Sequence, residues 1–327
     1  MRNRRMYPGL AAALGMLILI LDGKTGFSGA AEGIELCIRT VIPSLFPFFV
    51  LSGLLTTSLL GTKFPVSLGL LGVPKGAESL LLAGFLGGYP VGAQNISAAY
   101  ESGCLSKNQA ERMLGFCNNA GPSFLFGMIA PLFPGIRYAW LLWGIHIVSA
   151  LAVCILLPHS STDSISMTTS KNLSLSDSLK QSIRVMAPVC GWIILFRVVI
   201  AFLQRWILWL LPEVWQVAII GMLELSNGCC SLAAIEDPGL RFLICSGILA
   251  FGGLCVTMQT ASVAQGLSLR YYFPGKLLQT GLSILLAWML FPSAPEIAAV
   301  AGISVLFLVV YLRKLQNNSS IPMTLGV

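Results

Sequence analysis

Long apolar runs separated by short polar breaks dominate the chain. About ten apolar segments can be marked out, at approximately 7–22, 36–60, 79–99, 112–133, 137–157, 187–211, 215–235, 241–262, 272–291 and 296–312. A helix needs roughly 20 apolar residues to cross the hydrocarbon core of a bilayer, so the pattern predicts an all-α, polytopic membrane protein of about 8–10 transmembrane or re-entrant helices. The one long polar stretch, 158–182, is rich in Ser and Thr and has no apolar period, which predicts a linker between two halves. The boundaries that follow are 1–31 for an N-terminal signal-anchor helix and short loop, 32–157 for the first half, 158–182 for the linker, 183–292 for the second half, and 293–327 for a C-terminal helix and tail. The halves share an order of landmarks. Glu35 to Pro43 resembles Leu179 to Pro188, each with Arg four residues before Pro. Arg112-Met-Leu matches Arg241-Phe-Leu, and Arg137-Tyr matches Arg270-Tyr. Landmarks in one order suggest an internal repeat, a common feature of transporter folds.

Composition agrees with the pattern. Of 327 residues 56% are hydrophobic and 10% charged, whereas soluble domains carry about 25% charged residues. The net charge of +7 is then a signal of orientation and of lipid headgroups, and nucleic acid is not an expected partner. Arg2, Arg4, Arg5, Lys63, Lys75, Arg270, Lys276, Arg313 and Lys314 place both termini in the cytoplasm. Lys171 and Lys180 in the linker fit poorly, because a count in which every segment crosses puts them outside. The apolar run Leu10–Leu21 reads as an uncleaved first helix, with a signal peptide cleaved near Ser28-Gly-Ala30 as the alternative. Nine cysteines and two histidines form no clustered ligand set, so no metal and no cofactor is expected. Phosphate-loop and nucleophile-elbow motifs are absent, and the reading is not an enzyme.

Two apolar segments are broken. Gly84-Phe-Leu-Gly-Gly-Tyr-Pro-Val-Gly-Ala-Gln-Asn95 and Phe116-Cys-Asn-Asn-Ala-Gly-Pro-Ser123 carry glycine, proline and amides where a continuous span needs none. Irregular backbone at membrane depth is tolerated only inside protein or along a watery cavity, and paired interrupted segments point to a transporter site. Small-residue helix packing through Gly88 and Gly92 is the plainer explanation of the glycines. It leaves Asn118-Asn119 unexplained. Both segments can span or re-enter, which leaves open whether the halves are parallel or inverted. The candidate binding residues are Gly88, Tyr89, Gln94, Asn95, Asn118, Asn119, Ser123, Ser226, Asn227 and Gln259. Glu224, in an apolar run, reads either as a coupling carboxylate or as the charge partner of Arg197. His146 reads as a hydrogen-bonded helix histidine before a relay.

Ile42-Pro-Ser-Leu-Phe-Pro-Phe48, Gly87-Gly-Tyr-Pro-Val-Gly-Ala93 and Glu111 to Pro122 together resemble the YlbJ-type sporulation integral membrane proteins. These belong to a wider set with the nucleoside-recognition, or Gate, domain, related to concentrative nucleoside transporters. The resemblance covers most of residues 32–312. It implies two Gate-like repeats, a role in endospore formation, a place in the outer forespore membrane, and movement of dipicolinate into the forespore. The expected function is therefore a transporter of a small polar or anionic solute. The alternatives are a non-transporting membrane scaffold for spore envelope or cortex assembly, and a nucleoside-type solute carrier. The expected partners are the solute and the lipid bilayer, with a homo-oligomer left open.

Overall fold

Residue 22 begins the first departure from the hydrophobic pattern. The computed structural model describes residues 6–59, 68–158 and 174–319. Helix α1 (Met6–Leu21) is followed at once by α2 (Gly23–Leu36), so the short loop expected around residues 23–31 is helical. Asp22 caps α2, accepting from Thr25 N at 3.3 Å and from Thr25 Oγ1 at 2.9 Å. Gly26, Gly29 and Gly33 are buried along one stripe of α2. A Cβ added to Gly29 would stand 3.0 Å from Val198 Cα of the opposing helix. Small residues that let two backbones approach are a packing device suited to lipid, where the hydrophobic effect does not drive helix association.

From Leu36 the chain passes through a π-helical turn, Cys37–Val41, into α3 (Ile42–Leu59). Pro43 lacks an N–H donor, and the irregular turn lies just ahead of it. The partner of α2 and α3 is α9 (Leu175–Trp206). Its N-cap, Ser174, accepts from Asp177 N at 3.1 Å. Residues 175–182 are therefore helix and not linker, and residues 159–173 lie outside the described residues.

The rest falls into two series with the same order. The first has α4 (Glu78–Gly87), α5 (Val91–Glu101), α6 (Lys107–Cys117), α7 (Pro122–Phe124, continued by irregular helical turns to Leu132) and α8 (Ile136–Leu156). The second has α10 (Glu213–Leu223), α11 (Leu225–Ser231), α12 (Pro238–Phe251), α13 (Gly253–Val263) and α14 (Tyr272–Leu290), after which α15 (Pro295–Ser319) ends the fold. Every element among the described residues is helical. In each series the first two helices pack on each other as a hairpin. At 1.5 Å per residue, arms of ten or eleven residues reach about 15–17 Å, half of a hydrocarbon core of about 30 Å.

The next pair in each series is a broken crossing. Along α6 and α7 the first series runs antiparallel to α8 over its whole length. Arg112 bonds the carbonyls of Cys154 and Pro158, Ala120 N bonds His146, and Phe133 stacks on Tyr138 with centroids 5.5 Å apart. In the second series α12–α13 runs antiparallel to α14, through Phe242 on Phe291 and through Ser246 Oγ donating to Ser283 O at 3.1 Å. The two hairpins enter from opposite ends. Arg112, just after the first hairpin, clamps carbonyls at the end of α8. Arg241, just after the second, clamps Ile235 O and Leu132 O beside the start of α8. Segment 79–99 is thus a half-depth hairpin, and 112–133 is a crossing.

Sidedness follows. With both hairpins re-entrant, the crossings are α1, α2–α3, α6–α7, α8, α9, α12–α13, α14 and α15. Lys75, Lys107, Lys180, Arg184, Arg270 and Arg313 then fall on one side, against Lys24, Arg137, Arg205 and Arg241 on the other. The positive-inside rule assigns the richer side to the cytoplasm, and the end of α8 and the start of α9, with Lys180, fall on that side; Lys171 lies outside the described residues. Large apolar residues on α1 and α15, such as Leu10, Ile20, Val300, Ile303 and Phe307, are exposed and form a lipid-facing belt. Topology reporters placed at the N-terminus, after Ser166 and after Val327 are expected to report one common side. If Ser166 read opposite to the N-terminus, an odd number of crossings would separate them, as when residues 79–99 span once instead of re-entering; if opposite to Val327, the same would hold for residues 215–235.

Candidate functional site

Four helix breaks meet at the centre of the fold. The first is the hairpin turn Gly88-Tyr89-Pro90, where Gly88 has φ of 73°. The second is Asn118–Gly121, between α6 and α7. The third is Glu224, at the tip of the second hairpin, and the fourth is Gly252-Gly253, both at positive φ. A Cβ on Gly88 would stand 2.8 Å from Gly121 N, and one on Gly252 would stand 2.9 Å from Tyr89 Oη. A Cβ on Gly253 would stand 3.2 Å from both Leu223 O and Leu225 N. Glycine is required at these three positions by conformation and by proximity together. The breaks therefore touch in a chain: second to first, first to fourth, fourth to third.

Side chains satisfy what the breaks leave open. Ala93 N donates to Asn118 Oδ1 at 3.3 Å, and Asn118 Nδ2 donates to Thr260 Oγ1 at 2.8 Å. One asparagine thus links the first hairpin, the second break and α13. Asn119 Nδ2 donates to Phe116 O at 2.6 Å, while its Oδ1 accepts from Gln279 Nε2 at 2.9 Å and from Lys276 Nζ at 3.3 Å. His146 Nε2 accepts from Ala120 N at 3.0 Å, so this histidine caps the broken backbone. At the third break Glu224 accepts from Ser226 N at 2.9 Å, Asn227 N at 2.6 Å and Asn227 Nδ2 at 2.7 Å.

A cavity of about 30 Å³ opens between these breaks and an apolar wall from α3 and α9. Gly88, Tyr89, Ser123, Glu224, Ser226 and Gln259 line it, facing Leu45, Phe49, Val189 and Ile193. Six of the twelve residues singled out in the sequence thus share one cavity. Asn118 and Asn119 stand behind it, fully buried and bonded to protein. Asn227 acts on the cavity through Glu224. Gln94 and Asn95 line a second cavity of about 40 Å³ with Ser178, Gln181 and Ser182, nearer the cytoplasmic ends of α5 and α9. Phe49 borders both cavities.

Arg197 needs correction. It pairs with Glu32 of α2 and donates to Gln204 Oε1 at 2.9 Å, so it is not the partner of Glu224. It faces the α2 side of α9, whereas the cavity is lined by Val189 and Ile193. Among the described residues Glu224 forms no ion pair and is held by amides and backbone N–H groups.

Lys276 also needs correction. Its place in the sequence suggests an orienting charge at a segment end, but it lies in α14 and is 0% exposed. Its Nζ donates to Gln279 Oε1 at 3.0 Å, Tyr89 Oη at 3.1 Å and Asn119 Oδ1 at 3.3 Å. It also lies 5.0 Å from the Tyr89 ring centroid. The signal was available: Lys276, Gln279 and Ser283 recur at i, i+3 and i+7, one polar face of an otherwise apolar helix.

The curated sporulation integral membrane protein YlbJ of Bacillus subtilis (strain 168) is 26% identical to this chain over 324 residues, covering 83% of this chain and 79% of that protein. No family model matches the chain. No solved structure matches it.

The bonding of the two asparagines sets an expectation. Asn118→Leu leaves the buried Ala93 N without its partner and removes one of three bonds at Thr260 Oγ1, which keeps Val256 O and Tyr272 Oη; an unsatisfied buried group costs about 1–3 kcal/mol. The purified variant is expected to melt at a clearly lower temperature than the wild type and to be less abundant in the membrane. An unchanged melting temperature would show that these bonds do not hold the breaks together.

Proposed function

We propose that the chain, which is similar to the YlbJ-type sporulation integral membrane proteins, moves a small polar or anionic solute across the membrane by binding it where the four helix breaks meet. The observation that carries the reading is the cavity itself. Gly88, Tyr89, Ser123, Glu224, Ser226 and Gln259 come from both series and from both hairpins and converge on one cavity. Lone structural glycines would not bring a carboxylate, an amide, two hydroxymethyl groups and a phenol to one wall. An ionisable group and broken backbone kept at membrane depth are costly unless they serve a solute or an ion.

The two series, each a half-depth hairpin, a broken crossing and a long helix, read as the two Gate-like repeats. Their opposite entry makes them inverted, an arrangement that supports binding near the midplane with access from either side. The wall formed by α3 and α9 is apolar and the opposing wall polar, so a solute would rest against the breaks. The resemblance to the YlbJ-type proteins makes dipicolinate the first solute to try, and the outer forespore membrane the place of action. Glu224 is positioned to carry the coupling ion, because it reaches the cavity and has no fixed cationic partner among the described residues.

Purified protein reconstituted in vesicles, with dipicolinate and a set of nucleosides, tests the reading. Uptake above protein-free vesicles is expected for at least one solute. Glu224→Gln keeps the size and most of the hydrogen bonds. It is expected to abolish uphill accumulation, leaving amounts in the membrane normal. Uphill accumulation by the Gln variant at the wild-type level would remove Glu224 from coupling. No uptake of any solute by the wild type would remove the transport reading.

A further inference from the structure

We infer that Lys276 is the fixed positive charge that makes this site select anionic, carboxylate-bearing solutes over uncharged ones of the same shape; the inference rests on the transport reading above. Lys276 is buried completely, in a helix that is otherwise apolar apart from Gln279, Thr280 and Ser283. Its three N–H donors meet three neutral oxygens, on Tyr89, Asn119 and Gln279. Among the described residues no carboxylate pairs with it: the five ion pairs involve Arg39, Lys107, Arg197, Arg205 and Arg270. A buried charge is normally paired or neutralised. Here neutral oxygens fill the hydrogen-bonding capacity and no counter-charge stands nearby among the described residues, so a solute carboxylate would supply the missing partner.

The surplus charge is directed at the site. Two of the three acceptors belong to the first and second breaks, and one of these, Tyr89, lines the cavity. The ammonium therefore lies one side chain behind the cavity wall. It polarises the Tyr89 hydroxyl, which accepts from the lysine and donates to Leu249 O at 3.4 Å. That last bond is long, so the hydroxyl is readily redirected to a solute oxygen. In a low-dielectric interior a charge at this range is weakly screened. Glu224 also lines the cavity, but its oxygens are already held by Ser226 and Asn227. A purely structural tie between α14 and the breaks could be made by a neutral amide, as Gln279 makes one to Asn119 at 2.9 Å. The lysine adds charge, and charge discriminates between solutes.

The test compares pyridine-2,6-dicarboxylate with its uncharged diamide as probes of the purified full-length protein, reading binding by thermal stabilisation and uptake in vesicles. Wild type is expected to bind the dicarboxylate at least about tenfold more tightly, the scale of one charge-assisted hydrogen bond. Lys276→Met is expected to lose that preference, and Lys276→Arg to keep most of it. Where Lys276→Met fails to accumulate, Asn119→Asp decides: it leaves the lysine in place, sets a carboxylate against it, and is expected to abolish the preference. A folded Lys276→Met that discriminates as the wild type does overturns the inference, as does a wild type that prefers the diamide. A wild type that takes up uncharged solutes alone overturns it too, while leaving the transport reading intact. A wild type that binds and carries neither probe nor any other solute removes both.

Discussion

Backbone polarity inside a bilayer is the constraint on which this structure depends. Each of the four breaks frees N–H and C=O groups that lipid cannot satisfy. The fold resolves this by bringing the breaks together. Gly88 lies on Gly121, Gly253 lies on the turn around Glu224, and Tyr89 lies on Gly252. Asn118, Asn119, His146 and Glu224 then bond the freed groups. No single break would be stable at this depth alone, so the half-depth hairpins and the broken crossings must form as one unit. The same necessity concentrates polar side chains in one place and leaves the α3–α9 wall apolar.

Much of this was legible in the sequence. Segment lengths identified the helices because crossing a bilayer demands a known number of apolar residues. The breaks at Gly88–Pro90 and Asn118–Pro122 were legible because glycine, proline and amides have no reason to interrupt a lipid-facing helix. The third break was marked by Glu224, Ser226 and Asn227, and the fourth only by adjacent glycines that also suit helix packing. The loop expected near residue 31 failed for a specific reason. Gly26, Gly29 and Gly33 serve as a contact stripe once α9 lies against them, and that stripe holds the segment as helix.

The charged residues were the least legible. Arg197 and Glu224 are both embedded in apolar runs, and their pairing was plausible from composition. Which face of α9 the arginine occupies depends on where α2 packs, a tertiary fact that sends it to Glu32. Lys276 counts by position as an orienting charge on the side of Arg270. Only the register shared with Gln279 and Ser283 distinguishes a buried polar face from a segment end. Arg112 and Arg241, matched by position in the two halves, also share a task, each gathering carbonyl oxygens at the foot of a broken crossing. That shared task follows from the inverted entry of the two hairpins.

Solute protection of a thiol tests most directly whether the meeting point of the breaks is where the solute binds. Cysteine can be placed singly at Ser123 or Gln259, which face the cavity, and at Ser182 in the cytoplasmic cavity, in a background with the more accessible Cys104, Cys190 and Cys230 replaced by serine. In protein that still carries the solute, saturating solute is expected to slow labelling at positions 123 and 259. Labelling at both positions that is unchanged by a solute the protein demonstrably transports would contradict the account, because the solute would then pass without occupying the space between the four breaks.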